Sequence, residues 1–220
     1  MDLIIANNIS KNYGDAQVLK PLSLTIKKGE LISITGPSGA VKTTLLQLLG
    51  TLEQPSQGEI TLNGTNPYTL KEKKLAAFRS QKIGFVFQFH QLLPEFNCIE
   101  NVALPALIAG VDKKAAYEKA RELMTLLGIA EKENQKPNTM SGGEKQRAAV
   151  ARALINNPEV IFADEPSGNL DSENAEKLHH IFKDLQKKTT QTFVVVTHNE
   201  KLAQIADRVV QLKDGTLISS

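Results

Sequence analysis

ELISITGPSGAVKTTLLQLL, residues 30–49, decides how the rest of the chain is read. Residues 31–35 are short, apolar and β-branched, as in a buried strand, and the leucines near the end fall at helical spacing. The segment between them, 36–43, is then a loop that ends on a helix N-terminus. A helix start presents unpaired backbone N–H groups and the positive end of the helix dipole, and Lys42 adds a full charge. Gly36, Pro37, Ser38, Gly39, Ala40, Val41, Lys42 and Thr43 are therefore expected to form a polyphosphate cradle between strand and helix, with Thr44 next after it.

A glycine, four residues, then glycine, lysine and serine or threonine is the P-loop pattern, in which the lysine contacts the β- and γ-phosphates and the hydroxyl binds magnesium. Lys42 and Thr43 match its end, but Val41 replaces the second glycine. That position is expected to need a positive φ and close approach to phosphate, which suits glycine and strains a β-branched residue. Strain of roughly 1–3 kcal/mol predicts nucleotide binding weakened about 5- to 150-fold if all of it appears in affinity. An ordinary glycine-containing strand-to-helix turn is the plainer alternative.

The chain has 220 residues, enough for one α/β domain with a sizeable core, or one domain carrying an inserted subdomain. Its 26 Lys and Arg face 24 Asp and Glu, a net charge of +2. The basic residues are scattered, so no nucleic-acid partner is expected. The single Cys98 has no partner for an internal disulfide and no metal-ligand spacing around it, which fits a reducing compartment and a small core hydrophobe. No run approaches the ~18–20 apolar residues that a bilayer span needs. Residues 99–111 are short and broken by Glu100, Asn101 and Pro105. MDLIIANNIS lacks a basic leader and long apolar core, so a cytoplasmic chain is expected whose membrane contact goes only through a partner.

Along the chain, 3–9 and 18–26 read as early strands joined by the turn-rich KNYGDAQ. A further strand is expected at 58–63, a charged surface helix at 70–79 and an apolar strand at 83–87. Helices are expected next at 99–109, 115–127 and 142–156. Buried-strand patterns return at 160–163 and 192–197 around a helix at 172–187, and short strands at 208–212 and 216–218 flank the Asp214-Gly215 turn.

In open parallel α/β sheets, ligands sit outside the carboxyl ends of the strands. Four predicted strands here run into reactive groups: the Gly36 loop, Gln88, Asp164 with Glu165, and His198. In the right order they would surround one polyphosphate. Asp164 is then placed to serve a magnesium ion and Glu165 to orient the water that attacks a γ-phosphate, against the plainer reading of a polar strand end and turn. His198 is either a satisfied strand-end histidine or a group that meets the γ-phosphate or its water. Tyr13 either stacks on a base or caps a sheet edge. In MSGGEKQRAAVARAL, from Met140, Ser141 and Glu144 make a capping box. Gly142 and Gly143 each cost about 1 kcal/mol in a helix relative to alanine, and are read as bare amides open to an anion. Two phosphate-seeking helix starts suit a chain whose second start faces outward, toward a nucleotide held by a second copy.

These motifs, in this order and over essentially the whole length, resemble those of ABC transporter ATPases. The resemblance implies an α/β, P-loop (RecA-like) core at 1–88 and 157–220, with a small antiparallel β layer and an inserted α-helical subdomain at 89–156. It implies ATP and Mg2+ as cofactors. Tyr13 corresponds to the adenine-stacking aromatic, residues 36–44 to the phosphate loop, and Thr43, Gln88 and Asp164 to the magnesium site. Glu165, His198 and Lys42 correspond to the catalytic groups, Ser141, Gly142, Gly143 and Glu144 to the signature, and SGNLD at 167–171 to the loop that touches the opposite subunit. Met140 stands where the signature usually has leucine, a near-isosteric change. QFHQLLPEFNCIENVALP from Gln88 and DEPSGNLD from Asp164 most resemble the ATPases of bacterial lipoprotein release; macrolide-exporter and cell-division ATPases share the framework. That group implies hydrolysis in a head-to-tail dimer with a second copy, beneath integral-membrane permease subunits of LolC and LolE type, at the cytoplasmic face of the inner membrane. Phe89, Leu92, Leu93 and Phe96 would line a groove for a membrane subunit, or pack within the helical subdomain. Val41 predicts reduced ATP binding and hydrolysis, or else a docking subunit that does not hydrolyse.

Overall fold

The computed structural model describes residues 1–37 and 40–219. The strands are, in chain order, β1 (Asp2–Tyr13), β2 (Ala16–Lys27), β3 (Leu31–Thr35), β4 (Gln57–Leu62), β5 (Ile83–Val86), β6 (Val160–Asp164), β7 (Thr192–Val196), β8 (Arg208–Lys213) and β9 (Thr216–Ser219). The helices are α1 (Ala40–Leu49), α2 (Glu72–Lys82), α3 (Cys98–Ile108), α4 (Lys113–Leu126), α5 (Gly142–Leu154), α6 (Ser172–Thr189) and α7 (Glu200–Ile205).

A six-stranded sheet in the order β5-β6-β7-β3-β8-β9 forms the centre, parallel except for β9. Its inner strands carry unbroken apolar runs because both faces are covered: VIFA of β6 and TFVVV of β7 are buried throughout. Successive side chains of a strand point to opposite faces. Phe162 and Val194 therefore join a cluster with α1 and the layer β2-β1-β4, while Ile161 and Phe193 join one with α3, α4, α5 and α6. Val86, Ala163, Val195 and Ser33 are in register across four neighbouring strands. The residues next after them in the chain must leave the sheet along the same edge.

The expected elements appear, with boundary differences that have physical causes. β1 and β2 are longer than the apolar patterns suggest, because they form one antiparallel ribbon closed by a turn at Gly14 and Asp15, with Gly14 at φ +57°. Tyr13 is thus the last residue of β1 rather than part of a long loop. The short α7 was not expected; the Asn199 side chain caps it by accepting from the Lys201 and Leu202 amides. The chain between β5 and β6 holds α3, α4 and α5. Among the described residues, no helix is long and apolar enough to cross a membrane.

Candidate functional site

β3 runs into the loop expected to hold phosphate. Gly36 has φ +148°, and a Cβ there would stand 2.1 Å from the Leu212 carbonyl oxygen, so the strand end lies against β8 as only a glycine allows. Ser38 and Gly39 lie outside the described residues. Lys42, only 6 % exposed, donates from Nζ to the carbonyls of Gly36 at 3.0 Å and Pro37 at 2.8 Å. Its ammonium is folded over the loop's own oxygens, with Gly36 and Pro37 around it.

Position 41 departs from the sequence-based expectation. Val41 lies in the first turn of α1 and is not among the described residues with positive φ. Its half-buried side chain packs against the cluster between sheet and antiparallel layer. The backbone strain expected there is absent, because the helix begins early enough to give residue 41 an ordinary helical conformation.

In the first turn of α1, Thr43 donates from Oγ1 to both oxygens of Asp164 at the end of β6, at 3.3 and 3.1 Å. Burial pushes the Asp164 carboxyl above the usual range, against the Thr43 hydrogen bond and the charge of Lys42. A carboxylate so desolvated favours an added cation. Thr43 and Asp164 are hard oxygen donors, yet no group of three or more His, Cys, Asp or Glu among the described residues can cage a metal. That donor set fits a magnesium ion that takes its remaining ligands from water and phosphates.

Glu165 follows at φ 44°, a left-handed backbone unusual for this residue and of the strained kind that clusters at functional sites. Its amide donates to the Val196 carbonyl at 2.9 Å, fixing the β6 exit beside β7. Its carboxylate meets His198 twice: Oε1 lies 2.9 Å from Nδ1, and Oε2 accepts from the His198 amide at 3.3 Å. Gln88, two residues beyond β5, donates from Nε2 to Asn169 at 3.2 Å. Tyr13 donates its hydroxyl to Glu53 at 2.5 Å, with Lys11 Nζ 5.1 Å from the ring centroid and 3.1 Å from Glu53. Tyr13 as a whole remains 43 % exposed.

The start of α5 carries the expected capping box. The Ser141 amide donates to Glu144 Oε2 at 2.8 Å and the Glu144 amide to Ser141 Oγ at 3.3 Å. That Ser141 amide, above all, holds the Glu144 carboxyl below its usual range. Gly142 is exposed, but Gly143 is buried, contrary to the expectation that both face outward. A Cβ at 143 would stand 2.5 Å from Asn174 Oδ1 of the same chain. Packing against α6 is thus a sufficient reason for that glycine.

The structure therefore brings the Lys42 loop, Thr43 with Asp164, and Glu165 with His198 to one edge of the sheet, with Gln88 two residues past the end of the neighbouring strand β5. Glu53 and Lys11 were not singled out as site residues from sequence, and Asn169 only as part of the 167–171 loop; their contacts with Tyr13 and Gln88 are seen only in space. Residues 19–168 match the ABC transporter family. The chain belongs to that family. Its relatives include the lipoprotein-releasing system ATP-binding protein LolD of Bacteroides thetaiotaomicron, 57 % identical over 98 % of this chain and 99 % of that protein. The LolD of Porphyromonas gingivalis is 50 % identical over 99 % of each. Among solved structures, the dimeric bacterial ABC transporter cassette MJ0796 superposes with a TM-score of 0.90 at 38 % identity, covering 99 % of this chain and 97 % of that one. A post-hydrolysis state of MJ0796 bound to ADP and Pi gives the same TM-score at 37 % identity. As a family member, this ABC cassette has the fold that its sequence motifs implied.

Proposed function

We propose that this chain is the ATP-binding, ATP-hydrolysing subunit of an ABC transporter that releases lipoproteins from the bacterial inner membrane. One observation carries the reading: parallel strands in register deliver Lys42, Thr43 with Asp164, and Glu165 with His198 to a single edge. Lys42 leaves the Gly36 and Pro37 carbonyls to meet the β- and γ-phosphates, and first-turn amides of α1 supply further donors. Thr43 and Asp164, with Gln88 near them, would hold a Mg2+ ion, which would supply positive charge to offset that of the phosphates. Glu165, fixed by the ring and amide of His198, accepts a proton from water or orients it toward phosphorus. Tyr13 offers its exposed ring to the base.

Two copies work head to tail, with Ser141, Gly142 and the amide of Gly143 closing on the partner's nucleotide. The helical segment 89–156 is the subdomain that carries this signature between the two core pieces, 1–88 and 157–220. Phe89, 73 % exposed, with Leu93 and Phe96, receives permease subunits of LolC and LolE type, which anchor the chain peripherally at the cytoplasmic face. A side chain in place of glycine at position 41 lowers nucleotide affinity by limiting how closely a phosphate approaches the first turn of α1. The deciding experiment measures ATP turnover with copurified membrane subunits, in the chain as it stands, in Val41→Gly and in Glu165→Gln. Turnover abolished by Glu165→Gln and raised by Val41→Gly is expected; no turnover in any of them overturns the enzymatic reading.

A further inference from the structure

Gln88 and Asn169 stand 81 positions apart in sequence and are joined twice in space. Gln88 Nε2 donates to Asn169 Oδ1 at 3.2 Å, and Asn169 Nδ2 donates back to the main-chain carbonyl of Gln88 at 3.2 Å. The two contacts close a ring that fixes the Gln88 side chain relative to its own backbone. Asn169 is held in turn by the loop that bears it. The Gly168 amide donates to the Glu165 carbonyl at 3.0 Å, the Leu170 amide to the Ser167 carbonyl at 3.2 Å, and Ser167 Oγ lies 3.0 Å from the ring of buried His179. Gly168 leaves room for the pair, since a Cβ there would stand 3.0 Å from Gln88 Nε2.

A primary amide has one donor end and one acceptor end. With the nitrogen engaged by Asn169, the oxygen of Gln88 is the end left for a cation. β5 lies beside β6 with Val86 opposite Ala163, so Phe87 follows at the level of Asp164 and Gln88 leaves the sheet one residue later, at the level of Glu165. We propose that Asn169 is the positioning residue for Gln88: it decides which end of that amide is offered toward the Thr43 and Asp164 pair, and so how readily a divalent cation is held with nucleotide. The inference rests on the nucleotide-site reading above and adds a residue to it.

The test titrates fluorescent ATP analogue binding with Mg2+ in the full chain and in Val41→Gly. Each is measured with Asn169 intact, with Asn169→Ala, with Gln88→Ala and with both, and thermal unfolding is followed alongside. Asn169→Ala raises the Mg2+ needed for half-maximal binding about three- to tenfold, the effect of losing a side-chain hydrogen bond. Cation-free nucleotide affinity and Tm stay where they were. In the Gln88→Ala background, adding Asn169→Ala changes nothing further, because Asn169 acts through Gln88. An unchanged Mg2+ requirement in a chain that binds nucleotide overturns the proposal and leaves the site standing. So does an equal effect with and without Gln88, or a loss of cation-free affinity and Tm together. Absence of Mg2+-dependent binding in both the chain and Val41→Gly overturns the nucleotide-site reading, and the proposal with it.

Discussion

Val41→Gly separates two jobs of one side chain, because stability and affinity should move in opposite directions. The valine is half-buried against the apolar cluster between the central sheet and the antiparallel layer. Full burial of such a side chain is worth ~1.5–3 kcal/mol, so half of it is about 1 kcal/mol. Glycine in a helix adds a further ~0.3 kcal/mol of cost relative to valine. The variant should therefore lose roughly 1–1.5 kcal/mol, which lowers Tm by about 2–6 °C in a chain of this size. On the binding side, glycine at 41 allows the closest phosphate approach to the first turn, taken here as one more amide donating to a phosphate. A hydrogen bond to a charged group is worth about 1.5–3 kcal/mol, or about 10- to 150-fold in Kd. Tm is measured without nucleotide, since a ligand raises it by mass action, and Kd by calorimetry with Mg2+ and ATP. A lower Tm with unchanged Kd makes Val41 a packing residue only and refutes the affinity argument. A tighter Kd with unchanged Tm refutes the packing argument.

Glu165→Gln keeps the shape of the side chain but removes the proton acceptor, so turnover should fall about 10²- to 10⁴-fold while Mg2+-ATP still binds; an unaltered single-turnover rate would count against Glu165. Tyr13→Ala removes a stacking face worth about 1–3 kcal/mol, so Kd should rise about 5- to 150-fold, by similar factors for ATP and GTP because every base has such a face. His179 is 4 % exposed and burial pushes it down from 6.5 to about 4. The unfolded chain therefore binds more protons between those values: stability is full above pH 6.5 and falls as pH drops toward 4, by ~3 kcal/mol in all. His179→Gln should flatten that part of the Tm profile, and a profile with the same slope would show that other groups set it.

The parallel core was legible because strands buried on both faces carry continuous apolar runs, as VIFA and TFVVV do. Its reactive edge was legible because each such run ends in a residue with chemistry. Strand order was not, since nothing local says that β3 lies between β7 and β8. Nor was α7, whose six residues are too few to show a helical period. Position 41 misled for another reason. A pattern records which residue usually stands at a place, not the dihedral that it adopts there, and in this fold α1 already begins at residue 40.

Gly36 and Gly143 show the limit of inference from glycine alone. Both open a helix or the loop before it, and in both an added Cβ would collide, at 2.1 and 2.5 Å. At Gly36 the obstacle is a strand carbonyl, so the glycine sets how closely the phosphate loop approaches β8. At Gly143 it is the Asn174 side chain, just after the 167–171 segment, while the Cβ position of Gly142 lies 3.5 Å from Leu170 within it. The start of α5 thus leans on the same loop whose Asn169 holds Gln88. A second copy pressing on Ser141 and Gly142 would push on that loop, and through Asn169 on the strand end beside Asp164. The route is short and made of packed or hydrogen-bonded groups, and whether it couples the two is read from one measurement: whether Asn169→Ala changes the effect of a second copy on the Mg2+ requirement.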